Sequence, residues 1–147
     1  MKMKKSDYRW FNEARKEAEQ SDFNNVHVGC VIVYKGHVIG QGHNTNKSCP
    51  EQKQYNKYRN FNPNPKGKPI IHSTHAEISA IKSIPYPVKQ SIYWKDVSIY
   101  IYRICVGKDL GYGLSRPCEG CMNAIKDFGI HNIYYTTNDG FAYERVF

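Results

Sequence analysis

The sequence predicts an α/β domain, a mixed sheet of four to five strands covered by helices and opened by an antiparallel hairpin. Three observations carry this reading. A β-branched run, Val26 to Tyr34, is followed by Lys35-Gly36 and a second short extended stretch, which is a hairpin pattern. Helical periodicity then alternates with further β-rich runs, the arrangement of a layered α/β domain. The last two extended segments are separated by a tight turn only. That is too short for the crossover a parallel pair requires, so the final strand must run antiparallel to its predecessor.

Taken in order, Ser6 to Gln20 reads as the first helix. Phe11, Ala14 and Ala18 share one face, charges fill the others, and Ser6 or Asp7 can cap its start. Val26–Tyr34 and about His37 to Gly42 form the hairpin. The stretch 46–70 is rich in proline and asparagine and lacks periodicity, apart from a short helical piece near Glu51 to Arg59. Connections this long are uncommon in compact domains and often functional. Ser73 or Thr74 can cap a helix from about His75 to Ser83. Val97 to Val106 is a strand, and a glycine-rich loop leads from it to Arg116. A helix from Cys118 to Phe128 stops at Gly129, the residue type that accepts a left-handed C-terminal cap. Ile130 to Thr137 is the next strand, and Asp139-Gly140 turns the chain into the extended segment Phe141 to Phe147.

At 147 residues the chain is expected to be one domain, 1–147, with a basic insertion at about 46–70. The five cysteines are odd in number and follow no secretory pattern, which argues against a disulfide framework and leaves thiols for metal. No apolar run is long enough for a bilayer, so a cytoplasmic protein with no membrane partner is expected. The net charge of +8 is concentrated. In the insertion Lys47, Lys53, Lys57, Arg59, Lys66 and Lys68 stand against Glu51, a net +5. Tyr55, Tyr58 and Phe61 are interleaved with them. Cations neutralise phosphates and aromatics stack on bases, so a phosphate-bearing ligand suits the segment; a solvated loop that only aids solubility is the plainer alternative.

Two motifs carry chemistry, His75-Ala76-Glu77 and Pro117-Cys118-Glu119-Gly120-Cys121, each at the start of an expected helix. Cysteines three apart at a helix start share a face, and a histidine adds a third ligand for tetrahedral zinc. Three protein ligands leave a fourth position for water, which zinc acidifies towards neutral pH. A carboxylate two residues beyond the histidine, Glu77, can move protons between that water and a substrate. Either motif alone has plainer readings: a Cys-x-x-Cys pair can be redox-active or structural, with Cys49 or Cys105 completing a closed site. The pair together, in this order, is the signature of zinc nucleobase deaminases.

On these residues the chain resembles the cytidine deaminase superfamily, and within it the deoxycytidylate deaminase branch. The resemblance runs from the opening helix and hairpin through Gly42-His43-Asn44, His75-Ala76-Glu77-Ile78, and Leu114-Ser115-Arg116-Pro117-Cys118 to Gly129-Ile130. It implies a three-layer α/β/α fold, a Zn2+ cofactor held by His75, Cys118 and Cys121, and Glu77 as the catalytic proton carrier. It places Asn44, Ala76, Ser115, Arg116, Pro117 and Tyr135 at the substrate, with Asn44 at the pocket wall and Tyr135 stacked on the pyrimidine. Arg116, Lys108 and cations of the insertion would bind the 5′-phosphate. Some branch members carry a structural zinc before the catalytic histidine, to which Cys49, His43 and His72 could contribute. Members also assemble as dimers or larger rings, so a homo-oligomer is compatible with the resemblance.

Three departures stand out: Ser79 where the branch usually has asparagine, Arg116 inserted before the Pro-Cys pair, and a C-terminus too short for the branch's last helix and parallel strand. An antiparallel final strand is instead similar to the free-cytidine branch. The implied reaction is hydrolytic deamination of a cytosine nucleotide, with deoxycytidine monophosphate (dCMP) foremost. The alternatives are a cytosine or adenine deaminase acting on single-stranded DNA or RNA, and a non-enzymatic zinc module, which would have no use for Glu77.

Overall fold

Val26–Tyr34 (β1) turns into His37–His43 (β2) through Lys35 and Gly36, both at positive φ. Those backbone angles match the twist of a two-residue hairpin. The structure is a computed structural model that describes residues 3–23, 26–58, 73–105 and 113–146. Arg59, Phe61, Lys66, Lys68, His72 and Lys108, together with 59–70 of the expected insertion, lie outside the described residues.

The remaining elements are Lys5–Ala18 (α1), Pro50–Asn56 (α2), Ala76–Ser83 (α3), Tyr86–Ser91 (α4), Ser98–Cys105 (β3), Glu119–Phe128 (α5), Asn132–Thr137 (β4) and Gly140–Arg145 (β5). The sheet order is β2-β1-β3-β4-β5. Only β3 and β4 pair in parallel, joined by the crossover helix α5, while β5 runs antiparallel to β4. The mixed five-stranded sheet with its opening hairpin is therefore as expected. The extra elements are α4 and a single 3-10 turn at Trp94–Asp96. They fill a stretch whose sequence, with two prolines, shows no clean period.

Alternation along the strands separates two cores. Val31, Val33, Tyr100 and Tyr102 face α1 and meet Trp10, Phe11 and Ala14. Cys30, Ile32, Ile99, Ile101 and Ile133 face the other way, against Ile78 and Ile81 of α3 and Ala124 and Ile125 of α5. Helices on both faces make three layers. On the α1 face Tyr100 and Tyr134, in register on neighbouring strands, stack with ring centroids 4.3 Å apart. The Tyr100 hydroxyl donates to Asp7 at 2.6 Å.

Two helix starts correct the sequence reading. The N-cap of α1 is Lys4, not Ser6 or Asp7. Asp7 sits in the first turn, where its carboxylate accepts from the Lys4 amide at 2.9 Å while also holding Tyr100. The N-cap of α3 is His75 rather than Ser73 or Thr74. Thr74 is drawn into an isolated bridge with Thr45, and its hydroxyl donates to the Lys47 carbonyl at 2.7 Å. At the other end of the chain, α5 closes on Gly129 in the left-handed region, φ 82°, as the sequence predicts. No described helix is long and apolar enough to cross a membrane.

Glycine sets how closely helices approach the hairpin. A Cβ on Gly29 would overlap the Ala14 carbonyl and the Ala18 amide of α1. One on Gly42 would come within 2.6 Å of the Ala80 amide of α3. Gly29→Ala should therefore lower stability by at least the roughly 1–3 kcal/mol of core overpacking. Thermal unfolding checks this, and an unchanged Tm would mean that α1 does not lie on β1 as described.

Candidate active site

α3 and α5 both lie on the same face of the sheet and bring their first residues together. His75 caps α3 and Cys118 caps α5, with Cys121 one turn inside. His75 Nδ1 stands 3.6 Å from Cys118 Sγ and 3.3 Å from Cys121 Sγ, and the three donor atoms all lie within 4.8 Å of one another. Zinc bonds of roughly 2.1 Å to nitrogen and 2.3 Å to sulfur at a tetrahedral angle put those atoms about 3.6 Å apart. The residues fit that ion in number, softness and spacing. Among the described residues this is the one such cluster. Cys49 instead caps α2 by accepting from the Gln52 amide, and His43 pairs with Glu17 at 3.0 Å. The suggested second site therefore does not assemble from the residues described.

The electrostatics of the cluster follow from burial and mutual hydrogen bonding. Interaction with Cys121, whose backbone amide donates to the Cys118 sulfur at 3.5 Å, and with His75 holds Cys118 well below the ordinary thiol range. The proximity of Cys118, reinforced by burial, pushes Cys121 up. Both helix N-termini direct their positive ends at the cluster, which favours thiolate. Glu77, 5% exposed, touches the Cys121 thiol, and burial raises its carboxyl above the usual range although His75 opposes the shift.

A cavity of about 370 Å³ opens over this cluster, within the roughly 300–1,000 Å³ typical of small-molecule sites. His75, Ala76, Glu77 and Cys118 form its floor, with Asn44, Ser115 and Arg116 around it. Phe23, Val26, Val28 and Leu114 supply apolar walls.

Several expected substrate residues turn out to be occupied by the protein itself. The Asn44 Oδ1 accepts from the Val28 amide at 2.9 Å and from Ser21, and its Nδ2 donates to Val26. It lines the cavity while tying the start of β1 to the end of β2. The Ser115 hydroxyl bonds Ile101 and Thr136, clamping the loop before Cys118 onto β3 and β4. Arg116 forks onto Glu144 of β5 with two contacts of 2.9 Å. Tyr135 lies outside the cavity lining, its ring packed against the core and its hydroxyl 3.3 Å from Glu144. Pro117 is buried rather than exposed to the cavity, where its ring keeps Arg116 extended before the cap.

Three participants escaped the sequence reading. Gln52, fully buried on α2, accepts from the His75 amide at 2.9 Å and donates to Asn56 at 2.8 Å. Thr136 accepts from the Arg103 amide and donates to Gly113. Arg103 itself lines the cavity from β3. No motif marks them, although an arginine ending an apolar strand was a visible signal.

Residues 4–137 match the family model described as the cytidine and deoxycytidylate deaminase zinc-binding region. No curated protein sequence matches the chain. Among solved structures, dCMP deaminase from the cyanophage S-TIM5 in complex with dCMP and dUMP aligns with a TM-score of 0.58 at 18% identity, covering 92% of this chain and 85% of that one. Cytidine deaminase from Burkholderia pseudomallei gives 0.57 at 15% identity, covering 97% and 93%. At these identities the likeness is one of fold.

The bond from Gln52 to His75 makes a prediction. Gln52→Leu keeps the volume near its original value but removes the side-chain acceptor of the His75 amide, at a cost of about 0.5–1.5 kcal/mol. Loosening the histidine should also weaken zinc binding roughly 10-fold or more, as loss of outer-shell partners does. Thermal unfolding and competition against a zinc chelator measure the two effects separately.

Proposed function

The chain belongs to the cytidine and deoxycytidylate deaminase family, zinc-dependent hydrolases of a C–N bond, and on that premise we propose that it converts dCMP to dUMP and ammonia. The observation that carries the reading is the buried Glu77 carboxyl beside the His75, Cys118 and Cys121 cluster, at the floor of a cavity of mononucleotide size. A structural metal site has no use for that carboxylate, and burying it costs stability.

His75, Cys118 and Cys121 are the proposed ligands of zinc, which when bound supplies a Lewis acid that makes water acidic near neutral pH. Glu77 accepts a proton from the attacking water. Glu77 then delivers that proton to N3 of the pyrimidine, takes a second from the hydroxyl newly added at C4 as the carbonyl forms, and passes it to the amine, which leaves as ammonia. The Ala76 amide, at the first position of α3 and open to the cavity, has no partner within the helix and is placed to donate to the base.

Arg103 in the wall supports an anionic substrate over a free nucleoside, the charge of Arg116 being already met by Glu144. The cyanophage protein of similar fold is a dCMP deaminase crystallised with dCMP and dUMP. Of the two described aromatics of the basic stretch, Tyr58 is exposed but Tyr55 offers less to a polynucleotide than the sequence suggests. Tyr55 is turned inward, its ring against the core and its hydroxyl on Asp127 at 2.9 Å.

Ammonia release by the zinc-loaded protein, with dCMP, deoxycytidine and a cytosine-containing single-stranded oligonucleotide in parallel, tests the assignment. Turnover of dCMP in preference to both others is expected. Turnover confined to the oligonucleotide would replace dCMP with a polynucleotide. Glu77→Gln should cut kcat by about 10²–10⁴ with zinc content unchanged. Chelation should abolish turnover and added zinc restore it.

A further inference from the structure

The two arginines of the cavity wall are not equivalent. Arg116 presents its guanidinium to both oxygens of Glu144, and its charge is matched there. Arg103 has no carboxylate within ion-pairing distance among the described residues. Its Nη1 donates to the Leu114 carbonyl at 3.2 Å, and its Nε is buried without an acceptor. A buried donor left unmade carries a cost that a structure ordinarily avoids.

The surroundings hold Arg103 in place. Its amide donates to Thr136 Oγ1 at 3.1 Å, and its carbonyl accepts from the Gly113 amide at 3.3 Å. Gly113 lies so close to the side chain that a Cβ there would stand 2.6 Å from Arg103 Cδ and 2.8 Å from Nε. A loop without a side chain at that point, tied to β4 through Thr136, therefore lies over the arginine stem. Strand alternation puts Arg103 on the same face as Ile99 and Ile101, the face that carries the metal cluster. It stands near the C-terminal end of β3, beside the parallel β3–β4 pair where open α/β sheets bind ligands.

We propose that Arg103 is the residue that binds the 5′-phosphate of the substrate and so sets nucleotide over nucleoside, while Arg116 serves to latch the 115–118 loop to β5. The proposal rests on the mononucleotide reading above. A neutral nucleoside would leave the charge and the spare donors of Arg103 uncompensated. A phosphate dianion answers both, since its oxygens accept planar guanidinium donors in pairs. The basic stretch near 46–70 then has no required part in phosphate binding.

Product binding tests this without relying on turnover. Affinities of zinc-loaded protein for dUMP and deoxyuridine are measured by calorimetry for the wild type, Arg103→Gln, Arg103→Lys and Arg116→Gln. The wild type should favour dUMP roughly 30-fold or more, the scale of losing one partner of a desolvated charge pair. Arg103→Gln should bring that ratio close to one, Arg103→Lys should keep part of it, and Arg116→Gln should lower it less than Arg103→Gln does. The proposal is overturned by a wild type that binds both ligands equally, by an Arg103→Gln protein of unchanged zinc content that keeps the preference, or by a loss confined to Arg116→Gln. Should Arg103→Gln fail to fold, competition of inorganic phosphate against dUMP decides. Weaker competition in Arg103→Lys than in the wild type supports the assignment, and equal competition overturns it. Absence of dCMP turnover alongside an Arg103-dependent dUMP preference would reject the substrate and keep the phosphate site. Turnover of dCMP with an Arg103-independent preference would do the reverse.

Discussion

The metal end of this protein depends on how closely α3 can lie against β2. Gly40 and Gly42 present bare backbone to the helix, and a Cβ on either would come within 2.6 Å of Ala80 backbone atoms. That approach is possible only because both strand positions lack side chains. It seats α3 so that its cap, His75, arrives beside the cap of α5, Cys118. Interiors are packed nearly as densely as crystals, so a displacement of the helix would pass undiminished to the histidine. Gln52, reaching from α2 to the His75 amide, fixes the same residue from the opposite side.

What is assembled there is expensive. Glu77 is buried and reluctant to ionise, two thiols share hydrogen bonds with an imidazole, and an arginine Nε has no acceptor. Each is a group that folding alone would keep in water or pair completely. Their concentration around one cavity is the pattern expected where stability has been given up for chemistry. The sheet and two apolar layers bear that cost, with Ile32, Ile99, Ile101 and Ile133 fully excluded from solvent beneath the site.

The loop before Cys118 shows how the wall of the cavity is made rigid. Ser115 and Thr136 exchange hydrogen bonds and reach Ile101 and Gly113, so a surface loop is tied to both strands of the parallel pair. Arg116 extends the tie to Glu144 on β5. The last strand is therefore coupled mechanically to the cavity although none of its residues lines it. Residues that a motif would assign to substrate are, in this chain, largely occupied in holding the wall.

The sequence by itself determined most of the elements and the deaminase class of the chemistry. Strand and helix periods are local properties, the Gly129 cap is a local property, and the short Asp139-Gly140 turn compels an antiparallel last strand by chain length alone. The zinc cluster was legible for a related reason, because His75, Glu77, Cys118 and Cys121 carry chemistry in residue types and short spacings. Tertiary structure alone decided which polar side chains remain free to meet a ligand. Nothing local says that Asn44 is bonded to Val26 and Val28, that Arg116 is matched by Glu144 twenty-eight residues away, or that Tyr135 turns from the cavity to that same carboxylate. The same holds for Gln52 and Arg103, whose partners come from other elements. A side chain's type states what it can bond, but only the packed neighbours determine whether that capacity has already been used.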